Sequence, residues 1–155
     1  MIYTHLASLA LFLLLATVAL VDVRTRRIPD PLNALIVASG LGATLLLDGS
    51  LLNSVIGIVS GYGAMWGVSA GYRAVRGADG VGMGDAKLLA GAGAWLGWLG
   101  LPFVVLIASS VGLVWVAVKR LSGQTVSPRD ALAFGPFLCV GVFVVWLVQS
   151  YGETL

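Results

Sequence analysis

Charge is scarce in this sequence. Only 10% of its 155 residues are Asp, Glu, Lys or Arg, while 59% are hydrophobic. A soluble domain carries about 25% charged residues, so a water-facing globular surface is excluded. Cysteine and histidine are scarcer still, with one each, Cys139 and His5. A lone cysteine excludes an internal disulfide and a Cys-based zinc site. Cys139 lies in the apolar run Phe137–Val148 and reads as helix packing. No metal and no cofactor is expected. No Lys or Arg precedes the first apolar run, and no small-x-small cleavage site with polar sequence after it is present. That run therefore reads as a retained helix and not a signal peptide.

What is there is apolar sequence in six runs: Tyr3–Val21, Leu32–Leu47, Leu51–Val75, Ala86–Leu99, Leu101–Val118 and Ala133–Ser150. A spanning helix needs ~20 apolar residues. The expected fold is all-α, a polytopic membrane protein of about six helices, in one domain over 1–155. The fourth run is short for a full span, and a tight Gly97–Pro102 turn should join it to the fifth. Helix 3 carries Gly57/Gly61 and Gly63/Gly67/Gly71, a small-xxx-small spacing that lets another backbone approach.

The nine basic residues fall in three groups: Arg24, Arg26 and Arg27; Arg73, Arg76 and Lys87; Lys119, Arg120 and Arg129. With six helices these loops share one side. Positive loops stay cytoplasmic, so both termini should lie outside. The net charge of +2 is thus a topology signal. The expected partner is the lipid bilayer, and no nucleic acid.

The acids carry the functional signal. Asp30 before Pro31 reads as the N-cap of helix 2. Asp79, in the loop Gly77–Gly84, reads as solvated, and Asp130 beside Arg129 as a local pair or cap. Asp22 differs, because it ends an unbroken apolar stretch without a polar buffer. An ionisable group there is costly and usually functional; a salt bridge to Arg24 or Arg26 is the plainer alternative. Asp85 opens helix 4 in Gly80-Val81-Gly82-Met83-Gly84-Asp85-Ala86-Lys87. Capping alone needs only Asp85, whereas glycines at 80, 82 and 84 leave the backbone before it unhindered.

Topology puts Asp22 and Asp85 at one membrane face. Two such carboxylates suggest an aspartyl site that shares a proton. One takes a proton from water, and the other donates to the scissile carbonyl. Helix dipoles favour the anion at Asp85, at a helix N-terminus, over Asp22, at a C-terminus. His5 belongs to the opposite face and cannot pair with either acid.

The segment Gly82 to Trp98, GMGDAKLLAGAGAWLGW, resembles the GxGD segment of type IV prepilin peptidases. DVRTRRIPDPLN, Asp22 to Asn33, is similar to the region of their first catalytic aspartate, and FGPFL, Phe134 to Leu138, to their last-helix motif. The three segments occur in the family's order. The resemblance implies a membrane aspartyl endopeptidase of a bacterial or archaeal cytoplasmic membrane. Its partners would be type IV prepilins or pseudopilins, cut at the cytoplasmic face after the leader glycine. It implies Asp22 and Asp85 as the catalytic pair and Gly82 and Gly84 as the motif backbone. Lys87 would have an electrostatic or structural role. Many relatives carry an N-terminal region with paired CxxC motifs, associated with N-methylation. No CxxC is present here, so no methyltransferase activity is expected. Two other readings use the same acids: a transporter or proton-coupled channel, and an inactive assembly partner of a secretion machine.

Overall fold

A computed structural model describes residues 2–77, 82–122 and 133–152. Asp79, Arg129 and Asp130 lie outside the described residues. The described chain forms five helices: α1 Ile2–Thr25, α2 Asp30–Leu46, α3 Leu51–Arg76, α4 Met83–Leu121 and α5 Gly135–Tyr151. By length and composition α1, α3 and α4 can each cross a membrane, while α2 and α5 are shorter apolar helices of 17 residues. Large apolar side chains point outward along the bundle, among them Leu13, Val59 and Leu113. Soluble monomers rarely expose large contiguous apolar surface.

The sequence predicts about six helices where the structure has five, and the difference is α4. A straight helix of its 39 residues would be roughly 58 Å long, about twice the thickness of a bilayer core. The helix breaks at Gly97, where φ is 67° and ψ 178°. Only glycine adopts that conformation without strain. The break separates arms 83–96 and 98–121, which correspond to the fourth and fifth apolar runs. Helical geometry resumes at once, so Pro102 lies inside the second arm and not in the turn.

Glycine contacts give the direction of each arm. Gly84 abuts Ile28 and Gly91 abuts Ile36, so the first arm runs parallel to α2. Gly93 meets Gly57 and Leu89 meets Gly61, so it runs antiparallel to α3. In the second arm Gly100 meets Val145, Val104 meets Gly141 and Gly112 meets Phe137, antiparallel to α5. α5 also runs antiparallel to α1, from Gly135 beside Asp22 to Trp146 beside Ser8 and Tyr151 beside His5. The chain therefore reverses at Gly97.

Ala86 and every residue from Leu88 to Leu96 are buried, which makes the first arm the centre of the bundle. Its Ala-Gly composition allows this. A Cβ on Gly93 would stand 2.2 Å from the Gly57 carbonyl, and one on Gly61 would stand 2.6 Å from Leu89 O. The break leaves carbonyls of the last turn without helical donors. The Gln149 amide donates to Leu96 O at 3.4 Å and Thr44 Oγ1 to Ala94 O at 3.4 Å, while Trp95 Nε1 donates to Ile36 O at 3.0 Å. Of the helix 3 glycines, Gly57 and Gly61 pack as expected. Gly63, Gly67 and Gly71 do not, because they face away from α4, and a Cβ there would meet nothing within 4 Å.

These contacts separate two kinds of glycine. Gly57→Ala or Gly93→Ala should destabilise the protein by about 1–3 kcal/mol or more, because the added methyl meets backbone that cannot yield. Gly63→Ala should be neutral or stabilising by up to about 1 kcal/mol through helix propensity. Thermal unfolding in detergent reads both, and equal effects at the two kinds of position would contradict the seam.

Candidate active site

α1 ends just after Asp22 for local reasons. Arg26 takes a left-handed conformation, φ 52°, and its N–H donates to Asp22 O at 2.8 Å. Such a φ is uncommon outside glycine. Thr25 braces the turn, with Oγ1 donating to Val21 O at 2.9 Å and accepting from the Arg27 N–H at 3.3 Å. Pro29 then holds Ile28 extended, and α2 begins. Asp22 is thereby left on the last turn of α1, 6% exposed.

The Asp22 carboxylate is not paired with Arg24 or Arg26. Among the described residues its partner is the Gly135 N–H, which donates to Oδ2 at 3.2 Å. Gly135 is the first residue of α5. A Cβ at this position would stand 2.6 Å from Asp22 Oδ2 and 3.0 Å from Cγ, so any other residue would displace the carboxylate from where it stands. The C-terminus of α1 by itself disfavours a negative charge on Asp22. The N-terminus of α5 faces the same carboxylate, and the two helix ends oppose one another.

Asp85 lies in the first turn of α4, but it is not the cap. The N-cap is Gly82, whose carbonyl accepts from the Asp85 N–H at 3.1 Å, and no side chain caps this helix. The Asp85 carboxyl group is therefore not consumed by the helix end. Gly82 is extended, with φ −66°, a conformation open to any residue. A Cβ there would make an ordinary contact, 3.6 Å from Asp85 Oδ2, and its absence leaves that side of the carboxyl group open. Gly84 has a different use: a Cβ there would stand 3.3 Å from Ile28 Cβ, so this glycine lets the α1–α2 turn close against α4.

Lys87 forms an ion pair with Asp30. This corrects the reading of Asp30 as a cap. Pro29 occupies the N-cap position and Asp30 the first helical residue, with no side-chain cap bond. The carboxylate instead reaches across to α4 and ties the starts of the two helices together.

Asp22, Gly82, Gly84, Asp85 and Lys87 all line one cavity of about 1000 Å³. Arg26, Arg27 and Asp30 add charge at its wall. Met65 and Val68 of α3 and Val105 and Ser109 of the second α4 arm extend it along apolar surface. His5 stands at the other end of α1, about 25 Å away at 1.5 Å per residue. There it bonds Tyr151 Oη at 3.0 Å. Among the described residues no cluster of three or more His, Cys, Asp or Glu is placed to hold a metal. Ala133 and Phe134 line the cavity and Gly135 contacts Asp22; the sequence marks Phe134 and Gly135 only through the FGPFL motif and gives none of the three a site role.

The profile of the Type IV leader peptidase family matches residues 9–117. The chain is 38% identical over 149 residues to the prepilin leader peptidase/N-methyltransferase of Escherichia coli (strain K12), covering 92% of this chain and 64% of that protein. It is 39% identical over 140 residues to the protein of the same name from Dickeya chrysanthemi, covering 87% and 48%. It is 35% identical over 148 residues to that from Neisseria gonorrhoeae, covering 94% and 49%. The chain thus spans about half to two thirds of the length of these relatives. No solved structure matches it.

If Lys87 and Asp30 act as a strut between helices, their effects should be coupled. Lys87→Met and Asp30→Asn should each cost no more than about 1 kcal/mol, as half-exposed pairs do. Exchanging the two residues should restore most of the loss. A double-mutant cycle on thermal unfolding checks this, and strict additivity would remove the strut.

Proposed function

We propose, for a chain that belongs to the type IV leader peptidase family, that it is a membrane aspartyl endopeptidase acting on type IV prepilins or pseudopilins. Asp22 and Asp85 are the catalytic pair. The observation that carries this reading is that both carboxyl groups, from helices far apart in the chain, line the same cavity. Close like charges cannot both ionise easily, so the pair shares one proton. The ionised carboxylate removes a proton from water as its oxygen attacks the scissile carbonyl carbon. The protonated partner donates to the carbonyl oxygen, giving a neutral tetrahedral diol. Collapse of the diol returns a proton to the leaving amine, breaks the C–N bond and restores the shared proton. Gly82 leaves one side of Asp85 bare for the substrate, and Gly84 and Lys87 hold α4 against the turn after Asp22.

The chain crosses the membrane six times, with the two α4 arms as separate crossings. Both termini lie outside, and the cavity opens to the cytoplasm. Support comes from the alternating direction of the six helical segments and from the basic groups near the Asp22 end. Single cysteines in a Cys139→Ala background test the orientation. A membrane-impermeant thiol reagent applied from outside should label residue 49 and not residue 27.

Purified protein should cleave a prepilin after the leader glycine, as located by mass spectrometry. Asp22→Asn and Asp85→Asn should each lower kcat/KM by about 10²–10⁴-fold, the usual contribution of an acid–base group. Activity surviving in both variants would remove the pair. Ion or proton flux lost in both variants, without proteolysis by the wild type, would replace the peptidase by a transporter. The relatives' names also include N-methyltransferase. This sequence has a single cysteine and so no CxxC, and we propose proteolysis without methyl transfer. Methylated product from the purified protein with S-adenosylmethionine would overturn that half of the reading.

A further inference from the structure

We infer that Gly135 is a positioning residue for the reaction: its N–H holds Asp22 Oδ2, so that Oδ1 is the oxygen of Asp22 that exchanges the proton. The inference rests on the peptidase reading for its chemistry, and on geometry for the contact.

Three observations support it. First, the hydrogen bond is buried, at 3.2 Å, and joins residues on α1 and α5, so it is not a by-product of local chain geometry. Second, a side chain at this position would displace the carboxylate. A Cβ would stand 2.6 Å from Oδ2, closer than real Cβ contacts occur. Third, Gly135 opens a helix of 17 residues, whose first amides have no helical acceptor of their own. The Asp22 carboxylate supplies an acceptor to one of them, and α5 itself lacks a side-chain cap.

A carboxyl oxygen that accepts from an amide N–H is poorly placed to carry the acid proton. Placing the proton on Oδ2 would crowd the Gly135 hydrogen. Whether Asp22 takes its proton from water or gives one to the carbonyl, the transfer then runs through Oδ1. Asp22 has two equivalent oxygens in solution, and α5 makes them different. The benefit is orientation: the carboxyl plane is held from behind while its free oxygen works.

The test removes the N–H without adding an atom, by replacing Gly135 with glycolic acid through in vitro translation. Gly135→Ala serves as the steric companion. In isotope-edited infrared spectra of protein carrying ¹³C-labelled aspartate, the Asp22 carboxyl band is the one lost in Asp22→Asn. That band should shift when the amide becomes an ester. With a prepilin substrate, kcat should fall on the order of tenfold to a hundredfold, as for loss of a hydrogen bond to a charged group. KM should stay within about twofold, since the contact does not touch the ground-state substrate. Gly135→Ala should lose more. An unshifted band would overturn the contact. A shifted band with unchanged kcat would overturn the positioning role. If the wild type cleaves no prepilin, the peptidase reading fails, and the spectrum alone decides whether Gly135 holds Asp22: a shifted band sustains the contact but ends its role in proteolysis.

Discussion

Two carboxyl groups on different helices share a cavity because one helical arm approaches its neighbours at backbone distance. The first arm of α4 has Gly91 against Ile36, Gly93 against Gly57 and Leu89 against Gly61. Lipid supplies little hydrophobic drive between helices, so close van der Waals packing has to supply the association. Here the small residues are placed where the arm is enclosed on several sides. With the arm in the centre, its first turn carries Asp85 to the end of the bundle where α1 stops. A bulkier arm would push α2 and α3 apart and separate the Ile28 turn from Gly84. The position of Asp85 relative to Asp22 thus depends on residues far from either acid.

The same constraint explains how polar groups are handled away from water. An unpaired backbone carbonyl in hydrocarbon costs several kcal/mol. The reversal at Gly97 leaves buried carbonyls without helical donors, and side chains from α2 and α5 cover them. Thr44 reaches Ala94, and Gln149 reaches Leu96. At the other end the amide that opens α5 meets the Asp22 carboxylate. At both places a helix end is answered by a donor or acceptor from a different helix. Satisfying the backbone therefore also locks the helices in register.

Much of this was legible in the sequence. Apolar runs located every helical segment, and of the expected Gly97–Pro102 turn the break falls at Gly97 while Pro102 is helical. Asp22 stood out because it follows an apolar stretch without a polar buffer, and Asp85 because the glycines around it exceed what a cap needs. Other features were illegible for a common reason: they join residues distant in the chain. Asp30 next to Pro31 reads locally as a cap, yet its carboxylate is drawn to Lys87 on another helix. Gly57, Gly61 and Gly63 look alike in a helix pattern, and only the neighbouring arm distinguishes the first two from the third. The turn after Asp22 depends on a left-handed Arg26, a conformation that composition gives no reason to expect.

Asp22 shows most clearly where local reasoning stops. Taken with its own helix, its carboxylate sits at a C-terminus, the end that disfavours a negative charge. The fold then brings the start of α5 to the same atoms, an N-terminus with an amide aimed at Oδ2. A helix end acts mainly within its first or last turn, so the field at a carboxylate is set by whichever ends lie that close, from any part of the chain. Gly135 allows α5 to come that close, because any other residue would place a Cβ where the carboxylate stands. The environment of the first acid is thus written at both ends of the sequence, in a helix that carries it and in a glycine that makes room for it.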